Sequence, residues 1–227
     1  MLKKILEAVK RLSRTPVPFD PSRFEDTVAD TTDWGPAKRG GASFCTHKLV
    51  EVSPHRVEFK ITLGAKLFAM VFLLIGLGMS IGFSFGLISR GKITFSPELI
   101  FPTLIGLIFA GAGGFMCYYF TRPIVFDRHK GYFWKGRGVT DDVIKELTMG
   151  QDKKTVAASL GQIHALQLIS EYCRSNKSSY YSYELNLVLR DGERINVVDH
   201  GKLSRIVEDA NALSAFLGKP VWNAAGK

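Results

Sequence analysis

Residues 67–88, LFAMVFLLIGLGMSIGFSFGLI, carry no charged side chain, and neither do residues 99–121, LIFPTLIGLIFAGAGGFMCYYFT. A hydrocarbon layer about 30 Å thick is crossed by about 20 helical residues. The two runs supply 22 and 23 residues. Both read as transmembrane helices (TM1 67–88, TM2 99–121) within a hairpin spanning 64–122. About ten residues, SRGKITFSPE, join them, so the helices are expected to be antiparallel neighbours. Pro102 falls near the first turn of TM2, where a missing N–H is tolerated. Lys66, Tyr118, Tyr119 and Arg122 sit at the ends of the runs. There aromatic rings and long cationic side chains suit a membrane interface.

Both runs carry small residues at four-residue spacing. Gly78, Gly82 and Gly86 form one stripe, with Ser80 and Ser84 on an adjacent line, and Gly106, Ala110 and Gly114 form another. Such stripes let helix backbones approach closely in lipid. Two readings stand: the helices of one chain pack on each other, or copies of the chain associate as a homo-oligomer. Neither core holds an ionisable residue, which argues against a conducting pore.

Outside these windows the chain is ordinary and polar, so the mean hydropathy of +0.06 averages two different kinds of sequence. The net charge of +9 is spread over both flanks without a dense basic block, which points to topology and anionic lipid rather than nucleic acid. Basic residues cluster beside the outer ends of the hairpin (Arg56, Lys60, Lys66, Arg122, Arg128, Lys130, Lys135, Arg137), against Arg90 and Lys92 in the connection. That bias places both termini in the cytoplasm. No apolar stretch of signal-peptide type precedes residue 67, so TM1 is expected to serve as an uncleaved signal-anchor. Cys45, Cys117 and Cys173 show no paired spacing, which fits a reducing compartment.

Ahead of the hairpin, residues 1–15 place Leu2, Ile5, Leu6, Val9 and Leu12 on one helical face among Lys and Arg. This is a basic amphipathic helix suited to a headgroup layer or to docking on protein. Residues 16–41 are rich in Pro and Asp and read as linker or extended arm. Residues 42–62 hold two extended runs around a Ser-Pro turn. Cys45 and His47 share a strand face there, but two ligands without a third do not make a metal site.

After the hairpin, IVFDRHKGYFWKG reads as a β-hairpin turning at Gly131, and IHALQLISEYC as a strand. YSYELNLVLRDGERINVVDHG reads as strand, Asp-Gly turn, strand, with Tyr183, Leu185, Leu187 and Leu189 on one face. The chain closes on KLSRIVEDANALSAFLG, an amphipathic helix stopped by Gly218. Several antiparallel strands and one terminal helix make an α+β pattern. On the hairpin FDRHKGYFW, the pair LNLVLRDGERI and the terminal helix, the chain resembles bacterial membrane proteins that join a two-helix hairpin to a small pleckstrin-homology-like (PH-like) domain. The resemblance covers residues 123–220, and whether the strands at 42–62 complete the same sheet is left open by the pattern. It implies a transmembrane hairpin plus a cytoplasmic protein-binding domain; phosphoinositide binding is not carried over, because the loop between the first strands holds no dense basic cluster beyond Arg128, His129 and Lys130.

No catalytic or nucleotide-binding fingerprint occurs, and the five histidines are scattered. Asp199 and His200 are adjacent on a strand and so point to opposite faces; a cap for the helix starting near Lys202 suits them better. The sequence therefore predicts a non-enzymatic protein of the bacterial inner membrane, with no cofactor and no metal. Its partners are the bilayer and another, unknown protein. The alternatives are an immunity protein against a neighbour's toxin, and a subunit of a membrane complex or transporter.

Overall fold

The computed structural model describes residues 19–89, 97–137, 156–174 and 178–225. The helix expected at 1–15, the polar stretch at 138–154, and Arg90 and Lys92 lie outside the described residues.

The protein is mixed α+β, with two antiparallel-rich sheets and two long apolar helices. Val57, Phe59 and Ile61 alternate along β2 (Arg56–Ile61), which pairs with β1 (His47–Ser53), and after Thr62 the chain runs into α2 (Leu63–Ile88). A short α1 (Thr27–Thr31) precedes them, capped by the Asp26 carboxylate, which accepts from the Val28 N–H at 2.9 Å. The second apolar helix, α3 (Pro97–Phe120), leads through three residues into β3 (Ile124–Asp127) and β4 (Tyr132–Lys135). Gly131 takes φ +74°, the left-handed turn conformation that glycine supplies without strain.

β2 and β3 are neighbours: Arg56 pairs with Asp127, Val57 with Phe126 and Glu58 with Val125. The apolar hairpin is therefore an insertion between two adjacent strands of one sheet. With β5 (Val156–Ser159) the order is β1-β2-β3-β4-β5. The strand pair at 42–62, whose place the sequence left open, thus belongs to the sheet that continues at residue 124.

A second sheet, ordered β8-β7-β6-β9, is built from β6 (Ile163–Arg174), β7 (Ser179–Leu189), β8 (Arg194–His200) and β9 (Val221–Asn223). One core joins both sheets to α4 (Leu203–Leu217). Phe59, Phe126 and Phe133 come from the first sheet; Leu166, Leu168, Leu185 and Leu187 from the second; Ile206, Ala210 and Leu213 from the helix. Gly218 at φ +66° ends α4, and its N–H bonds the Ser214 carbonyl. The short parallel strand β9 and strand β5 have no clear period in the sequence.

The stretch at 19–41 is a docked arm. Phe24, Val28, Ala29 and Trp34 pack over Ala165, Val188 and Trp222 on the outer face of the second sheet. Trp34 lies 4.3 Å from Phe19 and 5.4 Å from Phe24, ring centre to ring centre, in the range where aromatic pairs attract. The β6 alternation explains why this face is free: Leu166 and Leu168 point to the core, while Ala165 and Gln167 point to the arm.

By length and composition α2 and α3 could cross a membrane, and their most apolar windows are only 17% and 11% buried. Leu67, Leu74, Ile81 and Phe85 on α2, and Phe101, Ile108 and Phe115 on α3, are exposed.

Candidate functional site

The apolar helices meet along a seam of small residues. Ala65, Ala69, Gly76 and Ser80 are buried on α2. A Cβ on Gly76 would sit 2.1 Å from the Ala110 amide nitrogen, and one on Gly106 would sit 2.8 Å from the Gly76 carbonyl oxygen. The Ser80 hydroxyl donates to the Thr103 carbonyl at 3.3 Å. Of the residues singled out for packing, Gly106 and Ala110 lie in this seam. A Cβ on Gly78, Gly82, Gly86 or Gly114 would meet nothing within 4 Å, so these four face away from the partner helix. On α2 the seam follows Gly76 and Ser80 instead of the stripe Gly78, Gly82 and Gly86, and on α3 Gly113, not Gly114, joins Gly106 and Ala110. The sequence offered both sets; only packing distinguishes them.

Where the hairpin joins the sandwich, the chain builds a cavity of about 300 Å³. Its wall combines the arm (Lys38), the entry to β1 (Thr46, His47), the end of α3 (Tyr119, Arg122), β4 (Lys135) and β8 (Asp199). Three cations thus face one carboxylate.

Each of these side chains is placed by a local cause. Lys135 shares a strand face with the core residue Phe133 and so points inward. Its ammonium donates to the Val197 carbonyl at 2.8 Å, the Asn196 carbonyl at 3.1 Å and the Asn196 amide oxygen at 3.2 Å. Burial pushes this ammonium down to about 8, with Asp199 opposing the shift and Lys38 and Arg122 adding to it. Burial likewise raises the Asp199 carboxyl, against the Asn196 amide bonded to it at 2.6 Å. Lys38 lies 2.7 Å from the Tyr119 hydroxyl and 3.9 Å from the Asp199 carboxylate.

His47 sits beneath the helix end. Its Nε2 donates to the Phe120 carbonyl at 2.9 Å, satisfying one of the unpaired carbonyls of the α3 terminus. Its Nδ1 is 2.9 Å from the Thr46 hydroxyl, and burial pushes the ring down to about 4, so it stays neutral. Arg137 donates to the Tyr118 carbonyl at 2.8 Å, a second cap on the same terminus. Arg122 stacks on the Tyr119 ring at 4.9 Å and on Tyr118 at 5.9 Å. Of the expected interface residues, the structure brings Tyr118, Tyr119 and Arg122 together, while Lys66 stands exposed on the first turn of α2.

The arm reaches the cavity because carboxylates hold its backbone. Glu184 accepts from the Ala37 N–H at 3.0 Å and the Lys38 N–H at 3.1 Å, and Glu171 accepts from Gly40 at 3.0 Å. Gly41 passes β7 so closely that a Cβ would lie 2.1 Å from the Ser182 hydroxyl oxygen. Sequence reasoning counted Lys135 only among the cations flanking the hairpin and did not pick out Lys38 or Glu184. The alternation YFWK carried a signal for Lys135, since it aligns that residue with Phe133.

Asp199 and His200 face opposite sides, as the strand period predicts. Asp199 opens on the cavity, whereas His200 is fully buried, with Nδ1 accepting from the Lys202 N–H at 3.3 Å. Lys202 is the residue capping α4, and its side chain makes no capping bond. Cys45 donates to the His47 carbonyl at 3.3 Å while the His47 ring turns to Phe120. Among the described residues no group of three His, Cys, Asp or Glu could hold a metal ion.

Comparison with protein-family models, with curated proteins and with solved structures finds no match.

Proposed function

We propose that this chain is a membrane-anchored, non-enzymatic binding module, with its hairpin spanning the bacterial inner membrane and a PH-like cytoplasmic sandwich docking another protein. The pairing of β2 with β3 across the hairpin carries the reading. It returns both helix ends to neighbouring strands, so an even number of crossings and a single soluble face follow if the helices are embedded. One residue links β2 to α2 and three link α3 to β3. Links so short hold the sandwich against the headgroups at a fixed angle, which suits a docking platform better than a tethered domain. The apolar side chains left exposed on the hairpin support embedding, because soluble chains rarely present so continuous a patch. The basic bias at Arg56, Lys60, Arg122 and Arg128 supports a cytoplasmic sandwich.

Two sheets around one core with a helix after the last antiparallel strand support the PH-like comparison, to which the parallel strand β9 is an addition. At the junction Glu184 and Glu171 fix the arm, while His47 and Arg137 cap the helix end. Tyr172 and Tyr181, paired across β6 and β7 with ring centres 5.2 Å apart and more than half exposed, offer an aromatic contact of the kind interfaces favour. A photo-crosslinker at Tyr172 in cells is expected to yield one discrete protein adduct. Absence of any adduct, with the chain correctly inserted, would overturn the docking reading.

A second reading is self-association in the membrane, favoured by Gly78, Gly82 and Gly86, which the intramolecular seam leaves unused. Gly82→Cys is expected to form a disulfide between chains, and Ala110→Cys is not. Equal behaviour of the two would refute it.

A further inference from the structure

Three cations line the cavity at the junction against one lining carboxylate, while Glu184, outside the lining, also acts on the Lys135 ammonium. Lys38, Arg122 and Lys135 face Asp199 alone among its lining residues. The Lys135 donors are all occupied by Asn196 and Val197, so this group contributes charge rather than a contact. Lys38 spends one donor on Tyr119 and is 3.9 Å from Asp199. Arg122 has only the faces of Tyr118 and Tyr119, and none of its guanidinium N–H groups meets an acceptor among the described residues. Five donors in a planar fork are thus left at the cavity mouth, a geometry that matches the oxygens of a phosphate group.

The carbonyls of the α3 terminus would repel an anion, but two of them are already bonded, Phe120 by His47 and Tyr118 by Arg137. The volume, about 300 Å³, lies at the lower end for small-ligand pockets. Arg122 and the two tyrosines close an apolar helix of 24 residues, about 36 Å long, so the mouth falls where lipid headgroups would lie.

We propose that this cavity binds a phosphate group, with Arg122 and Lys38 as its direct ligands and Lys135 as the buried counter-charge. Two sources present that chemistry at this depth: the phosphodiester of an anionic phospholipid, and free phosphate from solution. The site goes beyond the docking function, and only its lipid source rests on the embedding of the hairpin proposed above.

The test uses the full chain in neutral detergent, titrated with short-chain phosphatidylglycerol, short-chain phosphatidylcholine or inorganic phosphate, with binding read by calorimetry. Phosphatidylglycerol is expected to bind and phosphatidylcholine to fail. Arg122→Gln and Lys38→Gln are each expected to weaken binding about fivefold, the effect of one cation near an anionic headgroup. Arg122→Lys should restore part of the loss, and Lys48→Gln, an exposed cation outside the cavity, should change nothing. Phosphate binding as tightly as phosphatidylglycerol assigns the site to the free ion; much weaker phosphate binding assigns it to the headgroup. Both outcomes uphold the site. Three results overturn it: phosphatidylcholine binding equally well, neither anion binding, or Arg122→Gln and Lys38→Gln binding like the unaltered chain while their melting curves match it.

Discussion

Gly76→Ala and Gly78→Ala are the same substitution two residues apart on one helix, and the seam gives them opposite outcomes. At Gly76 the added carbon would meet the Ala110 nitrogen at 2.1 Å, the Gly106 oxygen at 2.6 Å and the Ala110 Cα at 2.7 Å. Each of these is backbone, so no side chain can swing away. Ordinary contact begins near 3.4 Å, so the helices must part by about 1.3 Å along this stretch. Overpacking of that kind costs about 1–3 kcal/mol. At Gly78 nothing lies within 4 Å. Both variants gain the same preference of alanine for helix, about 1 kcal/mol in water, so it cancels in the difference. The two should therefore differ in stability by about 1–3 kcal/mol, with Gly76→Ala the weaker. A reporter cysteine at Ala69, fully buried in the same seam, gives the readout when the three native cysteines are replaced by serine. Thiol reactivity against temperature, for the full chain in neutral detergent, should show Gly76→Ala opening first. Coincident curves, within about 0.5 kcal/mol, would refute this helix register.

His47 and His200 should each weaken the sandwich as pH falls, against the opposite effect of the buried carboxyls Glu184, Asp199 and Asp209, whose values burial raises. Burial holds both folded rings at about 4 against an ordinary 6.5, so between those values the unfolded chain takes up protons that the folded chain refuses. Stability then falls with falling pH by up to about 1.4 kcal/mol per unit for each ring, and His47→Asn should remove one proton from that slope, measured by denaturant titration at several pH values. Lys135 acts at the alkaline end. Its folded value of about 8 lies below the ordinary 10.5, so stability should rise with pH between them, and Lys135→Met should abolish the rise. Trp34→Ala removes the ring that stacks on Phe24 and bonds the Ala29 carbonyl, so trypsin should cut at Arg23 and Lys38 faster while the remaining sandwich persists. Leu213→Ala in α4 should cost about 2–5 kcal/mol in chemical denaturation, since the side chain is wholly buried in the shared core.

Much of the fold was legible wherever one interaction sets the period. The uncharged runs marked both long helices, because burying a charge in hydrocarbon is so costly that its absence over about 20 residues is informative. Tyr183, Leu185, Leu187 and Leu189 share one face in the sequence and pack on one core in the structure. Gly131 and Gly218 mark a turn and a helix end by positive φ. The arm was harder, because its hold is non-local. Glu184 and Gln167 lie more than 130 residues from the backbone groups they bind, and no local pattern announces such pairs. The same holds for the cavity, whose cations come from the arm, the end of α3 and β4. Gly76 was passed over for Gly78 because the four-residue spacing weights every glycine alike, whereas the seam selects by the position of the facing backbone.

In the proposed topology the sandwich lies on one face of a membrane and the connection between the two apolar helices on the other. Single cysteines at Glu51, Ile93 and Arg190, in a chain otherwise free of cysteine, test it directly with a membrane-impermeant maleimide on spheroplasts. Ile93→Cys is expected to be labelled on intact spheroplasts, and Glu51→Cys and Arg190→Cys only after lysis. Labelling of Glu51→Cys and Arg190→Cys from opposite sides, or of all three under the same condition, would contradict it.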